Sequence, residues 1–135
     1  MEEFTIETKG ENDFIDITPK VIEIVRKSGI KNGLVNVFLP GSTGAITTME
    51  YEPGLKKDLA LALARIAPSG IYYHHSAMWG DDNGRSHVKA SIVGPSLTVP
   101  LKNGELILGT WQQIVFLELD TRPRLRRIIV TVIGE

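Results

Sequence analysis

The stretch from residue 96 to the C-terminus constrains the fold more than any other part of the chain. Leu97, Val99 and Leu101 alternate along it, and Leu106 and Leu108 alternate on the far side of Asn103-Gly104. A period of two sends successive side chains to opposite faces of a strand, and Asn-Gly accepts the positive φ of a tight hairpin. Residues 113–119 and 127–133 are two longer apolar runs joined by a turn over 120–125. Four strands with short connections imply antiparallel sheet, so the first half of the chain must supply its cover.

That first half reads as mixed. Phe4, Ile6 and Thr8 alternate, and a second apolar run over 14–17 follows a polar turn over 9–13, which reads as an opening β-hairpin. Thr18-Pro19 supplies an N-cap and a proline at the first helical position, Val21, Ile22 and Val25 share a face, and Gly29 stops a helix over 19–28. Strands are expected over 34–39 and 45–51, and Leu55, Leu59, Leu63 and Ile66 recur at helical spacing before Pro68. Residues 72–87 have no clear period, and Val88, Ser91 and Ile92 suit either a short helix or a strand. The order ββαββα(α)ββββ describes an α+β protein, mostly antiparallel sheet with two or three packed helices, forming a single domain over 1–135.

Composition bounds the function classes. Apolar residues make up 42% and charged residues 23% of 135, which is globular rather than disordered, and this length buries a core unaided. A formal net charge of −1 gives no global field for nucleic acid or an anionic membrane. Arg122, Arg124, Arg126 and Arg127 form one basic cluster, read as a solvated turn and strand edge. Cysteine is absent, which removes thiolate nucleophiles and thiolate metal ligands and leaves His, Asp and Glu for any metal. No apolar run approaches the 18 or so residues of a membrane span, and the N-terminus lacks a signal-peptide pattern, so a cytoplasmic protein is expected.

Polar chemistry concentrates in two places. His74, His75 and His87, with Asp81, Asp82 and Asn83, fall within 14 positions, a set able to bind a metal or shuttle protons. The plain alternative is exposed loop histidines with Asp81 and Asp82 capping a helix. Tyr72, Tyr73 and Trp79 beside them suit stacking on a planar ring or simple core packing. Gly41-Ser42-Thr43-Gly44 offers backbone N–H groups and two hydroxyls, as anion-binding turns do, or is only a strand connection. Glu50 and Glu52 follow, on a strand whose apolar neighbours imply partial burial and hence a need for a partner. Gly109-Thr110-Trp111-Gln112 is the second place; it reads first as a tight turn with Trp111 packed inside, where Trp111→Ala would cost roughly 3–5 kcal/mol. No Gly-x-Ser-x-Gly elbow is present, which disfavours a serine hydrolase.

These residues resemble the YjbQ family, also labelled the secondary thiamine-phosphate synthase family. Its signature of a serine, alternating apolar positions, a glycine and Gly-Thr-Trp-Gln reads here as Ser96-Leu97-Thr98-Val99-Pro100, Gly104 and Gly109-Thr110-Trp111-Gln112 with Ile114. Further matches at Ile17-Thr18-Pro19, Glu50, Pro53, Asp58, Tyr73 to His75, Asp81 to Gly84, His87 and Gly94 extend it over nearly the whole chain. The resemblance implies a compact α+β fold, commonly a homotrimer, with a polar pocket near its histidines and weak thiamine-phosphate synthase activity in some members. Two positions depart from it: many members carry His-Thr or His-Ile-Thr where this chain has Gly41-Ser42-Thr43, and related members carry a histidine at Arg85.

Two functions follow. One is an enzyme for a phosphorylated or heteroaromatic small molecule, with thiamine-phosphate formation as the named candidate. In it His87, Arg85 and Asp82 are the catalytic candidates; Ser42, Thr43, Glu50, Tyr73, Asn83, Trp111 and Gln112 contact ligand; and His75 with His87 hold a divalent ion, zinc or magnesium. The alternative is a metabolite- or metal-binding homo-oligomer without turnover. Runs 113–119 and 127–133 carry apolar residues on both faces, so a neighbouring subunit is expected as a second cover.

Overall fold

The protein was described from a computed structural model covering residues 1–135, with the side chain of Trp79 outside the description. Its elements in chain order are β1 (Glu2–Glu7), β2 (Phe14–Asp16), α1 (Thr18–Ser28), β3 (Gly33–Phe38), β4 (Gly44–Met49), α2 (Pro53–Ile66), α3 (His74–Trp79), α4 (Gly84–Val93), β5 (Ser96–Lys102), β6 (Glu105–Leu106), β7 (Gln113–Glu118) and β8 (Leu125–Gly134). The α+β class expected from the sequence is the class observed. Every strand pairing is antiparallel. No described helix is long and apolar enough to cross a membrane.

Two sheets form, ordered β1-β8-β3-β5-β6 and β2-β7-β4. The opening hairpin expected from the sequence is absent: β1 pairs with β8, and β2 pairs with β7 in the other sheet. The turn over 9–13 therefore carries the chain between sheets rather than back along one. The Asn103-Gly104 hairpin forms as expected, with φ of 52° and 80° at its two residues. Helix α1 begins one residue before the expected start, and Thr18 faces β7 instead of capping. Its hydroxyl accepts a hydrogen bond from the Ile114 N–H at 2.8 Å, so it ties the helix to the sheet.

One core fills the space between the sheets, where Val21 and Val25 of α1 meet Val35, Val37, Ile114, Phe116, Ile128 and Val130. A second lies on the other face of the small sheet, where Leu63 of α2 and Ala90 of α4 meet Val115, Leu117 and Leu119. Both faces of β7 are thus covered within one chain. The expectation that this strand needs a neighbouring subunit is corrected, because alternate side chains reach two different internal cores. On β8 alternation holds instead: Arg126, Ile128 and Val130 point inward, while Ile133 on the outer face is 65% exposed.

Residues 72–87, which lack a period in the sequence, become a single-turn helix, a turn at Gly80 and the start of α4. Close approach fixes this packing. A Cβ on Gly84 would lie 2.6 Å from Tyr73 Cβ, so only glycine lets the first turn of α4 rest on Tyr73. Gly44 is constrained likewise: its Cβ would meet Leu39 Cδ2 at 2.8 Å and Phe116 Cε1 at 2.9 Å.

Candidate functional site

Packing α3 against α4 brings the two histidines of the sequence reading together. The His75 and His87 rings have centroids 4.3 Å apart with planes tilted by 48°. Asp81 Oδ1 lies 3.6 Å from His75 Nε2, too far for a hydrogen bond. His87 also faces a depression of about 220 Å³ lined by Gly41, Ser42, Gly44, Ala90, Ser91 and Pro95. Burial, seconded by the charge of His75, pushes the His87 pKa below its ordinary value, against the pull of Asp120 and Asp81. His87 is therefore a neutral imidazole at neutral pH, able to accept a proton.

The floor beneath is an ion network that the sequence reading missed. Glu118 is fully buried and accepts hydrogen bonds from Arg126 Nε at 2.9 Å, the Thr8 hydroxyl at 2.7 Å and the Asp120 N–H at 3.1 Å. Arg126 also donates to Thr43 Oγ1 at 2.9 Å, and Thr43 donates to Asp120 Oδ2 at 3.0 Å. Burial opposes ionisation of Asp120, yet its bonds from Arg124, the Thr121 N–H and Thr43 outweigh that and hold its pKa below the usual carboxylate range. Arg126 is thus no solvated strand edge, which corrects the reading of the basic cluster. Its parity on β8 carried the signal, since it shares the inward face with Ile128 and Val130. Glu118 and Asp120 inside an apolar run carried the other half, because a carboxylate there requires a cation.

Arg85 is turned away from the depression by its partners. Its Nε and one terminal nitrogen grip Glu11 at 2.9 and 3.0 Å, and the other terminal nitrogen donates to the Asp82 carbonyl at 3.0 Å. That bidentate bond, ahead of the opposing effect of burial, lowers the Glu11 pKa. Lys89, 2% exposed, shares the same carboxylate at 3.4 Å. Asp82 reaches Thr121 Oγ1 at 3.4 Å. Neither Asp81 nor Asp82 caps α4: its N-cap is Asn83, whose side chain makes no capping bond. The Asn83 Oδ1, Ser86 Oγ and Asp81 Oδ1 atoms are buried with no hydrogen-bond partner among the described residues.

The remaining ligand candidates do not join this site. Met49 pairs with Gln113 at one end of the small sheet and Gly44 with Glu118 at the other. Five residues of strand put roughly 17 Å between those ends. Glu50, Trp111 and Gln112 belong to the first end, and Ser42, Thr43 and His87 to the second. Gln112 closes its own turn, accepting from the Gly109 N–H at 2.9 Å and donating to Thr48 at 3.0 Å. Trp111 is 70% exposed, so it is no core plug. Glu50 is exposed and beyond the end of β4, and Glu52 finds its partner at the start of α2, where it accepts from the Leu55 N–H at 2.8 Å. The Tyr73 hydroxyl donates to the Pro68 carbonyl at 2.6 Å, which leaves its ring structural. Tyr72 stands at the surface edge-on to His74, and the side chain of Trp79 lies outside the described residues.

His75 and His87 come together as the metal reading requires. Among the described residues, however, no group of three or more His, Asp and Glu side chains is placed to hold an ion, so the donor set falls short of the usual three protein ligands.

Comparison with known proteins agrees with the architecture. Residues 2–135 match the model of the family described as UPF0047 protein YjbQ-like. A UPF0047 protein of Methanothermobacter thermautotrophicus is 43% identical over 99% of this chain and 92% of its own length. The UPF0047 protein YugU of Bacillus subtilis is 35% identical over 96% of each. The crystal structure of a YbjQ-like protein of unknown function from Sulfolobus solfataricus superposes with a TM-score of 0.89 at 33% identity, covering 99% of both chains. An uncharacterized conserved protein from Clostridium acetobutylicum gives a TM-score of 0.89 at 36% identity, covering 98% of this chain and 100% of its own. With residues 2–135 matched by the family and the fold shared with its solved members, the chain belongs to the UPF0047 YjbQ-like family.

Proposed function

We propose that the chain is a small-molecule enzyme in which His87 is the general base, His75 and Asp81 position it, and a phosphorylated substrate lies against Gly41 and Ser42. The observation that carries this reading is a neutral, half-buried imidazole paired with a second imidazole at 4.3 Å and facing a depression whose wall includes Gly41, Ser42 and Ser91. Such a base takes a proton from a water as its oxygen bonds to phosphorus and the ester P–O bond breaks, the departing alkoxide taking its proton from solvent, and backbone N–H groups in the glycine turn suit the remaining phosphate oxygens. Near His87, Asn83 Oδ1 and Ser86 Oγ are buried polar atoms without a hydrogen-bond partner among the described residues.

Thiamine-phosphate formation enters as a slow reaction of the same site. There the thiazole nitrogen bonds to the pyrimidine methylene carbon as its C–O bond to pyrophosphate breaks. That nitrogen has no proton for a base to remove, and the departing pyrophosphate needs a cation. Arg85, committed to Glu11, does not supply one. General-base chemistry on a phosphate ester is therefore the better match.

Purified, metal-defined protein assayed with a panel of phosphate esters, and with thiazole phosphate plus pyrimidine diphosphate, tests the proposal. Turnover that disappears in His87→Ala supports it. Equal turnover in wild type and variant would overturn it, and ligand binding without turnover would favour the non-catalytic alternative.

A homotrimer is part of the same reading. Leu34 at 51%, Phe38 at 40% and Ile133 at 65% exposure sit on the outer face of the large sheet, and Trp111 projects beyond the small one. Exposed apolar side chains of this kind are covered when this face of one copy packs on a different face of the next, the head-to-tail contact that closes a ring of three. Sedimentation showing a stable monomer at micromolar concentration would exclude it.

A further inference from the structure

A larger depression than the one at His87 lies elsewhere on the chain. It lies between α1 and the β5–β6 hairpin, measures about 380 Å³, and is lined by Ile22, Val25, Arg26, Lys31, Leu106 and Leu108, with Asn103, Gly104 and Glu105 at the rim. None of these residues belongs to the site described above. Its size falls inside the range of small-molecule pockets.

The chain builds the cleft from two kinds of side chain. Val25 is buried in the core, and Ile22, Leu106 and Leu108 are half-buried around it, so the floor is apolar and incompletely covered. Arg26, in the last turn of α1, and Lys31, just beyond it, stand over that floor. Neither forms an ion pair with a described carboxylate. Lys31 is held in place: its carbonyl accepts from the Gly104 N–H at 2.8 Å, and its side chain crosses Gly104, where a Cβ would lie 3.4 Å from Nζ. Glu105 is one negative charge at the rim against two positive ones.

We infer that this cleft is a second ligand site, for a small anion with an apolar tail such as a medium-chain carboxylate or alkyl phosphate. The tail covers Ile22, Leu106 and Leu108, and the head pairs with Arg26 and Lys31. Apolar contact provides most of the affinity and the two cations select the head group. A neutral molecule of the same shape leaves both cations unpaired, and inorganic phosphate leaves the floor bare, so each binds weakly.

Titration of ¹⁵N-labelled protein with octanoate, octanol and inorganic phosphate, followed by NMR, tests this. Octanoate is expected to move the amide signals of Lys31, Asn103, Gly104 and Leu106, with the same affinity in His87→Ala as in wild type. The exposed Arg26→Glu and Lys31→Glu substitutions are expected to weaken it roughly tenfold each, on the scale of losing one charge contact. No movement of these signals with octanoate, equal affinity for octanol, or unchanged octanoate affinity in both charge reversals would each overturn the inference. Because turnover at His87 is not read, failure here leaves the general-base proposal standing, and the reverse.

Discussion

His87 meets His75 ring to ring, centroids 4.3 Å apart, although the two residues lie on different helices and twelve positions apart in the sequence. Burial and then the His75 charge lower the His87 pKa. An NMR titration of the imidazole signals should place the His87 midpoint below the ordinary value of about 6.5. In His75→Gln the midpoint should rise, because the repulsive neighbour is gone, yet stay below that value, because burial remains. A midpoint unchanged by this substitution would mean that the two rings do not interact electrically.

The same shift fixes a pH dependence of stability. A histidine held neutral by the fold binds fewer protons folded than unfolded. Its contribution is intact above the unfolded value near 6.5 and is lost as pH falls through the lower folded value. Denaturant titrations at pH 7.5 and 5.5 should show a smaller loss on acidification in His87→Gln than in wild type, as order-of-magnitude linkage requires. An equal loss would place the acid sensitivity elsewhere.

Arg126→Met should destabilise the protein by about 3–5 kcal/mol, since it strands Glu118 with no cation in a fully buried site. Arg124→Met should cost less, about 1–3 kcal/mol, because Asp120, although buried, keeps its bonds from the Thr43 hydroxyl and the Thr121 N–H and the lost arginine is itself 38% exposed. Adding Glu118→Gln to Arg126→Met should recover part of the larger loss. Urea unfolding of the four proteins checks the ranking, and equal costs for the two arginines would contradict the network described.

Gly84→Ala should cost roughly 1–3 kcal/mol by overpacking, since the new methyl group meets Tyr73 Cβ. The displaced Tyr73 is two residues from His75, so activity should fall with stability. Thermal unfolding at the wild-type temperature would show that α3 and α4 are not in contact as described.

The strands after residue 96 and the second helix were legible because alternation and helical spacing are local signals. What the sequence did not reveal depends on long-range pairing. Phe4 and Phe14 alternate as a hairpin would, yet β1 and β2 join different sheets, and no local pattern distinguishes those outcomes. His75 and His87 were legible as a pair. Glu118 and Arg126 were overlooked, although a carboxylate in an apolar run opposite an arginine of inward parity announces a buried ion pair. Trp111 misled by its size: a large ring beside a glycine turn reads as core, and here it is 70% exposed. Trp111→Ala should accordingly cost an isolated protomer no more than about 1 kcal/mol.

The pH dependence of turnover tests the central claim most directly. On whichever phosphate ester is turned over, log kcat/KM for wild type should rise with pH to a plateau, with the midpoint of the limb below the ordinary histidine value of about 6.5, the limb reporting deprotonation of His87 in the free enzyme. In His75→Gln the limb should move to higher pH, and in His87→Gln it should vanish with most of the activity. A limb that persists unshifted in His87→Gln would contradict His87 as the base.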